Sequence, residues 1–256
     1  MTPKDTEIIA LPNGGKTQVV RPHGTSADQQ HAVLLLSAIA GVNSYVQERA
    51  RDLASEGFLV AILDYFGRDG AVPDISTPEL IGKAVAALDD RQVLADVDES
   101  VKWFDRQGIP AANVGVLGFC IGGSYAILAA SRAWGLGCAV NYYGQLSRGT
   151  LPPSDLKPHA PIDVVDSIGC PILCHYGDHD RLIGAHEIEA FTTKLRQAQK
   201  SYELFTYAGA PHAFDEWFRQ QVYRPVASAL AWRRSLAFLG WHLCKKKADS
   251  HSINLF

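Results

Sequence analysis

Three residues of this 256-residue chain, Cys120, Asp180 and His212, have the types and the order that nucleophilic catalysis needs. Attack on a carbonyl requires a thiol or hydroxyl, a base within hydrogen-bond reach, and a group that fixes the tautomer of that base. Cys120 stands in Gly118-Phe119-Cys120-Ile121-Gly122, which fits the nucleophile-elbow pattern G-x-S-x-G with cysteine in the serine position. The turn is sharp, so the positions two before and two after the apex lie against neighbouring backbone, and glycine at both removes the clash. Gly123 then lets the following helix approach the strand. That geometry lifts the sulfur above the sheet and points a helix N-terminus at it, which favours a thiolate and an oxyanion. A plainer reading of the same stretch is a buried structural cysteine in a glycine-rich strand-to-helix turn.

The acid is sought in Gly177-Asp178-His179-Asp180-Arg181. Asp180 stands three residues past Gly177, far enough for its side chain to turn back, whereas Asp178 lies in the tight part of the turn and suits an Asx turn. The base is sought at His212, in the loop Gly209-Ala-Pro-His212. Among the other histidines, His31, His242 and His251 read as surface and His175 as a packed core residue. His175, His179, Asp180 and His186 lack a recognised zinc spacing, so no metal and no cofactor is expected. Two backbone amides are expected as oxyanion donors, that of Ile121 after the apex and that of Ile39 after the first central strand.

The elements that must position these residues follow from the hydrophobic pattern. Segments 6–11 and 16–21 read as strands around Asn13-Gly14-Gly15, a strong hairpin signal. His31–Ser37 and Phe58–Tyr65 are apolar on both faces, as central parallel strands should be. Between them lies a helix over Tyr45–Glu56, for which Ser44 is the expected cap. Thr77-Pro78 starts a long helical region reaching Gln107, with Leu94, Val97, Val101 and Phe104 as its apolar stripe. After the elbow come strands over Gly137–Tyr143, Pro171–Tyr176 and Tyr202–Tyr207, and helices over Ala185–Gln199 and Pro225–Leu243. Residues 145–165 read as an irregular segment placed to cover the site. Alternating strands and helices without repeats predict an α/β fold, a mostly parallel doubly wound sheet with helices on both faces and an antiparallel hairpin at its N-terminal edge. One domain over 1–256 is expected, with its core over about 16–243 and a polar tail at 245–256.

Composition narrows the partners. The chain is 47% hydrophobic and 20% charged, enough apolar content for one sizeable core. A net charge of -3 offers no basic surface for nucleic acid or an anionic membrane. No apolar run approaches the roughly 18 residues of a membrane span, and residues 1–6 lack a signal pattern. The five cysteines are odd in number and mostly sit in apolar runs, which points to reduced thiols and a cytoplasmic protein. A small molecule is the expected partner, and a monomer or weak homo-oligomer the expected state.

Five segments together carry a resemblance over about residues 30–243. They are Ala40-Gly-Val-Asn43, Gly118-Phe-Cys-Ile-Gly-Gly123, Asn141-Tyr-Tyr-Gly144, Gly177-Asp-His-Asp180 and Gly209-Ala-Pro-His-Ala-Phe214. Their set and order resemble the dienelactone hydrolase family of α/β-hydrolases, whose members open an enol-lactone through a thioester acyl-enzyme. The resemblance implies an α/β-hydrolase fold, Cys120 as nucleophile, Asp180 as orienter, His212 as base, and the backbone of Ile39 and Ile121 as oxyanion hole. It also exposes two departures. The family's glutamate after the first central strand is replaced by Ala38. Its substrate-holding arginine after the histidine loop is replaced by Asp215 and Glu216. An anionic dienelactone is expected to meet repulsion there, so a more neutral or differently placed ester or lactone is expected, with Arg68, Arg91 or Arg148 as substitute cation. Against this hydrolase stand two other readings, a non-catalytic α/β-hydrolase-like binding protein and a thiol sensor. The latter needs a partner cysteine, and the chain has no C-x-x-C.

Overall fold

A computed structural model describes residues 6–22, 30–68, 70, 72–147 and 154–244. Its framework is an eight-stranded sheet built from β1 (Thr6–Ala10), β2 (Lys16–Val20), β3 (Ala32–Leu36), β4 (Leu59–Asp64), β5 (Val114–Phe119), β6 (Cys138–Tyr142), β7 (Ile172–Gly177) and β8 (Tyr202–Tyr207). The spatial order is β1-β2-β4-β3-β5-β6-β7-β8. Strands β3 to β8 run parallel, and the β1–β2 hairpin adds antiparallel to β4. The fully buried runs of β3 and β5 are what a parallel strand covered on both faces requires. From β3 the chain steps first to β4 on one side, then returns to place β5 on the other. Such a reversal opens a crevice at the carboxyl ends of the two strands, where α/β proteins bind their ligands. Leu36 pairs with Gly118 at that crevice, so the turns after β3 and β5 emerge side by side.

Side chains alternate across a strand, and here each face has its own cover. Phe119, Tyr142, His175 and Phe205 pair in register across β5–β8 and form a row of rings 4.9, 4.6 and 6.1 Å apart. This row faces α1 (Ser44–Ser55) and α6 (Pro225–Leu239). Tyr45 of α1 packs edge-on against Phe119 at 5.3 Å, and Ser235 of α6 bonds both Tyr142 and His175. The neighbouring row, Gly118 and Asn141, faces α4 (Ile121–Ala130). The two other helices named for their tertiary role are α3 (Asp90–Arg106), which packs on β3, β4 and α4, and α5 (Ala185–Gln197), whose Phe191 and Leu195 are fully buried. Among the described residues no helix is long and apolar enough to cross a membrane.

Two local expectations change. The cap of α1 is Asn43 rather than Ser44: its Oδ1 accepts the Val46 N–H at 3.1 Å, and Ser44 is the first helical residue. The region 78–107 is two helices, α2 (Pro78–Ala87) and α3, because Leu88 and Asp89 are extended and Asp89 caps a new start through the Arg91 N–H. Neither Leu88 nor Asp89 is a glycine or proline, so no breaker residue marks this interruption. Thr77 caps α2 as expected, accepting from Leu80 N–H. Of the irregular stretch 145–165, residues 148–153 lie outside the described residues. On one side of these, Leu146 and Ser147 give their N–H groups to Glu187 of α5; on the other, Lys157 donates to Asp90 Oδ1 at 2.6 Å and to the Tyr125 hydroxyl at 2.7 Å, and a short 3-10 helix over Pro161–Ser167 replaces the irregular end expected there. The tail at 245–256 also lies outside the described residues.

His175 is wholly buried, with Nδ1 against the Tyr207 hydroxyl at 2.9 Å and Nε2 against Ser235 Oγ at 3.0 Å. Burial, with Arg234 nearby, lowers its pKa from 6.5 to about 3. The folded chain therefore refuses a proton that the unfolded chain takes up below pH 6.5. Stability from this residue is complete above that value and is lost as pH falls towards 3. Urea unfolding at pH 7 and pH 5 should show His175→Gln losing up to about 2 kcal/mol less than wild type across that interval. Two glycines give a second contrast. A Cβ on Gly118 would stand 1.9 Å from Gly122 O, whereas one on Gly82 in α2 meets nothing within 4 Å. Gly118→Ala should lose at least the roughly 1–3 kcal/mol of ordinary overpacking. Gly82→Ala should gain roughly 0.5–1 kcal/mol, and thermal melts read both.

Candidate active site

The elbow is built by close backbone approach. Cys120 has φ 54° and ψ -121°, a conformation that costs a non-glycine residue roughly 1–3 kcal/mol and holds only when its surroundings enforce it. They do: the Cys120 N–H bonds Tyr142 O at 2.9 Å, and Gly123 and Ser124 close on Cys120 O. A Cβ on Gly122 would lie 2.2 Å from Leu36 O and 2.5 Å from Ser37 O. The first turn of α4 is thus pressed onto the end of β3, which brings the amide of Ile121 beside the turn that carries Ile39. That turn closes through Gly41 N–H to Ala38 O at 2.9 Å, with Gly41 at φ 70°. On the other flank, Gly123 leaves room for Asn141, whose Oδ1 accepts the Gly144 N–H at 2.7 Å and whose Nδ2 donates to the Tyr176 hydroxyl at 2.8 Å.

The loops after β7 and β8 are locked to each other. A Cβ on Gly177 would stand 1.9 Å from Ala210 O, and His179 N–H bonds that same carbonyl at 3.0 Å. Asp178 accepts the Gly209 N–H at 2.7 Å, so its carboxylate ties the two loops together and does not close the local Asx turn expected of it. Asp180 turns inward. Its Oδ1 accepts the amides of Leu182 and Ile183, and its Oδ2 accepts Nδ1–H of His212 at 2.8 Å. The opposite ring nitrogen, Nε2, lies 3.3 Å from Cys120 Sγ. Three side chains from connections after β5, β7 and β8 therefore form one continuous relay. Burial opposes a charge on His212, but the adjoining sulfur and the Asp180 carboxylate outweigh it and lift its pKa to about 10. The arrangement can hold an imidazolium beside a sulfur anion, and it can pass a proton between them.

A network absent from the sequence reading anchors the histidine loop. Asp215, three residues past His212, is fully buried and takes a forked pair of hydrogen bonds from Arg49 Nε and Nη2, both at 3.0 Å. It also accepts from Ser228 Oγ at 2.6 Å and from the Tyr45 hydroxyl. Arg49 in turn lies over the Trp232 ring at 4.4 Å. Burial raises the Asp215 pKa and Arg49 opposes that rise. The carboxylate expected to repel an anionic substrate is thus spent inside the fold. Glu216 is similarly buried and pairs with Arg219 at 2.8 Å. No local signal joins Arg49 to Asp215, since they are 166 positions apart.

The substitute cations resolve in the same way. Arg68 pairs with Asp96 and donates to Asn13 O, tying the hairpin turn to α3. Arg91 pairs with Asp89 and borders a cavity with Leu128 and Ser131, at the end of α4 away from Cys120. Arg148 lies outside the described residues. Ala38 carries no charge, and the hydrogen bond of Sγ is with His212. The rings of Tyr65 and Tyr143 wall the site. Burial, and then for Tyr65 the Cys120 charge, pushes both hydroxyls up, so they stay protonated. Among the described residues no group of three His, Cys, Asp or Glu side chains could hold a metal ion.

Removing one member of a buried ion pair leaves the other uncompensated, at about 3–5 kcal/mol, whereas replacing both with apolar groups costs far less. Asp215→Ala should therefore destabilise by about that amount in urea unfolding, and the double variant Arg49→Met with Asp215→Leu should recover most of it.

The sequence model of the dienelactone hydrolase family matches residues 16–243. A Bradyrhizobium protein named "Probable 2-oxo-3-(5-oxofuran-2-ylidene)propanoate lactonase" is 43% identical over 217 residues, 84% of this chain and 86% of its own length. A carboxymethylenebutenolidase of Rhodococcus opacus is 31% identical over 220 residues, 85% of this chain and 83% of its own. The crystal structure of a Klebsiella pneumoniae protein, titled "Putative Dienelactone Hydrolase", superposes with a TM-score of 0.83 at 28% identity, covering 92% of this chain and 98% of that one. Esterase 2 of Thermogutta terrifontis shares the fold, with a TM-score of 0.70 at 15% identity over 94% of this chain and 96% of its own. With its elbow, its sheet order and its match over residues 16–243, the chain belongs to the dienelactone hydrolase family.

Proposed function

We propose that the chain hydrolyses an ester or lactone through Cys120, His212 and Asp180 by way of a thioester. One observation carries this reading: the unbroken contact from Asp180 through His212 to Cys120, 2.8 Å on one edge of the imidazole and 3.3 Å on the other. In the first half-reaction His212 Nε2 takes the thiol proton and sulfur attacks the carbonyl carbon. The amides of Ile39 and Ile121 receive the oxyanion. The carbon–oxygen bond to the leaving alkoxide or enolate breaks, and the imidazolium returns its proton to that oxygen. In the second half-reaction water gives a proton to His212 and attacks the thioester. The carbon–sulfur bond breaks and the thiol is restored. Asp180 keeps Nδ1 protonated throughout and balances the imidazolium charge. A lost amide donor in such a site costs roughly 10²–10³ in rate.

The names of the relatives, a lactonase and a carboxymethylenebutenolidase, support this bond class. Recognition of the rest of the substrate departs from the family pattern, because Asp215 and Glu216 occupy the neighbourhood where an arginine is expected and are already paired with Arg49 and Arg219. Substrate selection therefore rests on something other than a free arginine at that place.

Incubation with an activated ester should leave an acyl adduct on Cys120 by intact-mass analysis, and Cys120→Ala should lose both adduct and turnover. Asp180→Asn should keep Cys120 in place yet lower kcat by roughly 10²–10⁴-fold, through the wrong tautomer of His212. Full activity in Cys120→Ala removes the proposal. A binding protein without catalysis would instead show iodoacetamide reacting with Cys120 at the rate of an ordinary thiol, unaffected by His212→Gln.

A further inference from the structure

Among the described residues nine large apolar side chains are more than a third exposed, and their distribution is uneven. All but Ile8 follow β4, β6, β7 or β8 in the chain, and with Val226 on α6 and Trp241 after it set aside, six remain: Val72, Ile81, Leu156, Leu182, Trp217 and Phe218. Asp180 and His212 rise from the carboxyl ends of two of these strands, β7 and β8, beside the elbow that follows β5. Three contacts tie the exposed groups to the site itself. Leu182, 56% exposed, gives its backbone N–H to Asp180 Oδ1 at 2.8 Å. Val72, 56% exposed, lies over Gly41 in the turn that carries Ile39, its Cγ2 at 3.7 Å from a Cβ built there. Trp217 and Phe218, 43% and 46% exposed, begin a ladder of rings running inward. Trp217 meets Phe218 at 5.9 Å, Phe218 meets Tyr45 at 6.0 Å, and Tyr45 meets Phe119, the residue before Cys120, at 5.3 Å.

Isolated exposed apolar residues need no explanation, but a group gathered around one mouth does. Two carboxylates of the histidine loop are turned away from this rim, Asp215 into Arg49 and Glu216 into Arg219, while Asp178, His179 and Arg181 stay exposed on the loop that carries Leu182. Resting on the reading of Cys120 as nucleophile, we infer that these side chains form an apolar collar that holds a hydrocarbon substituent of the substrate. The preferred ester or lactone then carries an aliphatic or aromatic group beyond the reacting bond, and Leu182, Trp217 and Phe218 set specificity. Surface removed from water on both sides of such a contact favours the longer substrate by up to about fourfold per fully buried methylene, and about twofold where half is covered.

The test measures kcat/KM for 4-nitrophenyl alkanoates and S-alkyl thioacetates of growing chain length, each normalised to its hydroxide-catalysed rate, with acylation of Cys120 followed by intact mass. Wild type should gain about 16-fold between four and eight carbons in one of the two series, chiefly through KM. Phe218→Ala combined with Trp217→Ala, and separately Leu182→Ser, should each reduce that ratio to below about fourfold. All three sites are exposed, and melting curves unchanged from wild type keep folding out of the comparison. Acylation of Cys120 at equal rates along both series overturns the collar and leaves the hydrolase standing. An unchanged slope in the variants also overturns it. Absence of any Cys120 adduct removes the hydrolase and the collar together. A concentration-dependent dimer that the variants abolish, with selectivity unaltered, reassigns these side chains to an interface and overturns the proposal.

Discussion

An imidazole can serve a sulfur and a carboxylate together only if both are held at hydrogen-bond distance from opposite edges of one ring. Here that demand is met by backbones that touch. Leu36 and Ser37 carbonyls lie against Gly122, Gly122 O against Gly118, and Ala210 O against Gly177, each at a separation no Cβ could occupy. The first two contacts fix where the sulfur stands relative to the end of β3. The third fixes how far the histidine loop stands from the acid loop. Each is a contact between strand ends or helix starts, so the site inherits the rigidity of the sheet. The positive φ of Cys120 is then a consequence of these contacts and needs no separate cause.

The two faces of the sheet divide the work. The face towards α4 is small and tightly packed, with glycines and Asn141, because a helix must come close enough to aim its N-terminus at the sulfur. The face towards α1 and α6 is large and aromatic, and it carries the polar groups that fasten the histidine loop from behind. Asp215 is buried with four donor groups around it, which is the condition under which a buried carboxylate is tolerated. The loop after β8 is therefore gripped on two sides, by Gly177 in front and by Arg49 behind. His212 has little freedom to leave the relay except by rotation of its own side chain.

Much of this was legible in the sequence, and the physical reason is that the legible features are local. A glycine two residues either side of an apex, a buried apolar run, and a proline after a threonine each declare a backbone geometry without help from distant residues. The positions of the strands along the chain and the candidates Cys120, Asp180 and His212 followed from such signals, and the fold brings these three side chains together. Asp180 and Asp178 part in a way local turn chemistry did not declare, since Asp180 takes the nearby amides of Leu182 and Ile183 while Asp178 reaches across to Gly209. What stayed hidden was pairing across long separations. Nothing near Arg49 announces Asp215, and nothing near Arg68 announces Asp96, so charges that read as free turned out to be spent. The break between α2 and α3 was missed because Leu88 and Asp89 interrupt the helix without glycine or proline.

Spent charges also bear on how the thiol rests. With Ala38 after β3, no carboxylate from that turn competes for the sulfur, and the hydrogen bond of Sγ is with His212. The sulfur therefore faces the imidazole of His212 at 3.3 Å. On the far edge of that ring Asp180 receives three donors and its carboxyl lies shielded from water, so it is held firmly against Nδ1. A pKa near 10 for His212 follows from the sulfur and the carboxylate acting on it from both sides. The turn after β3 thus leaves the sulfur to a single partner, the imidazole that Asp180 holds from its far edge.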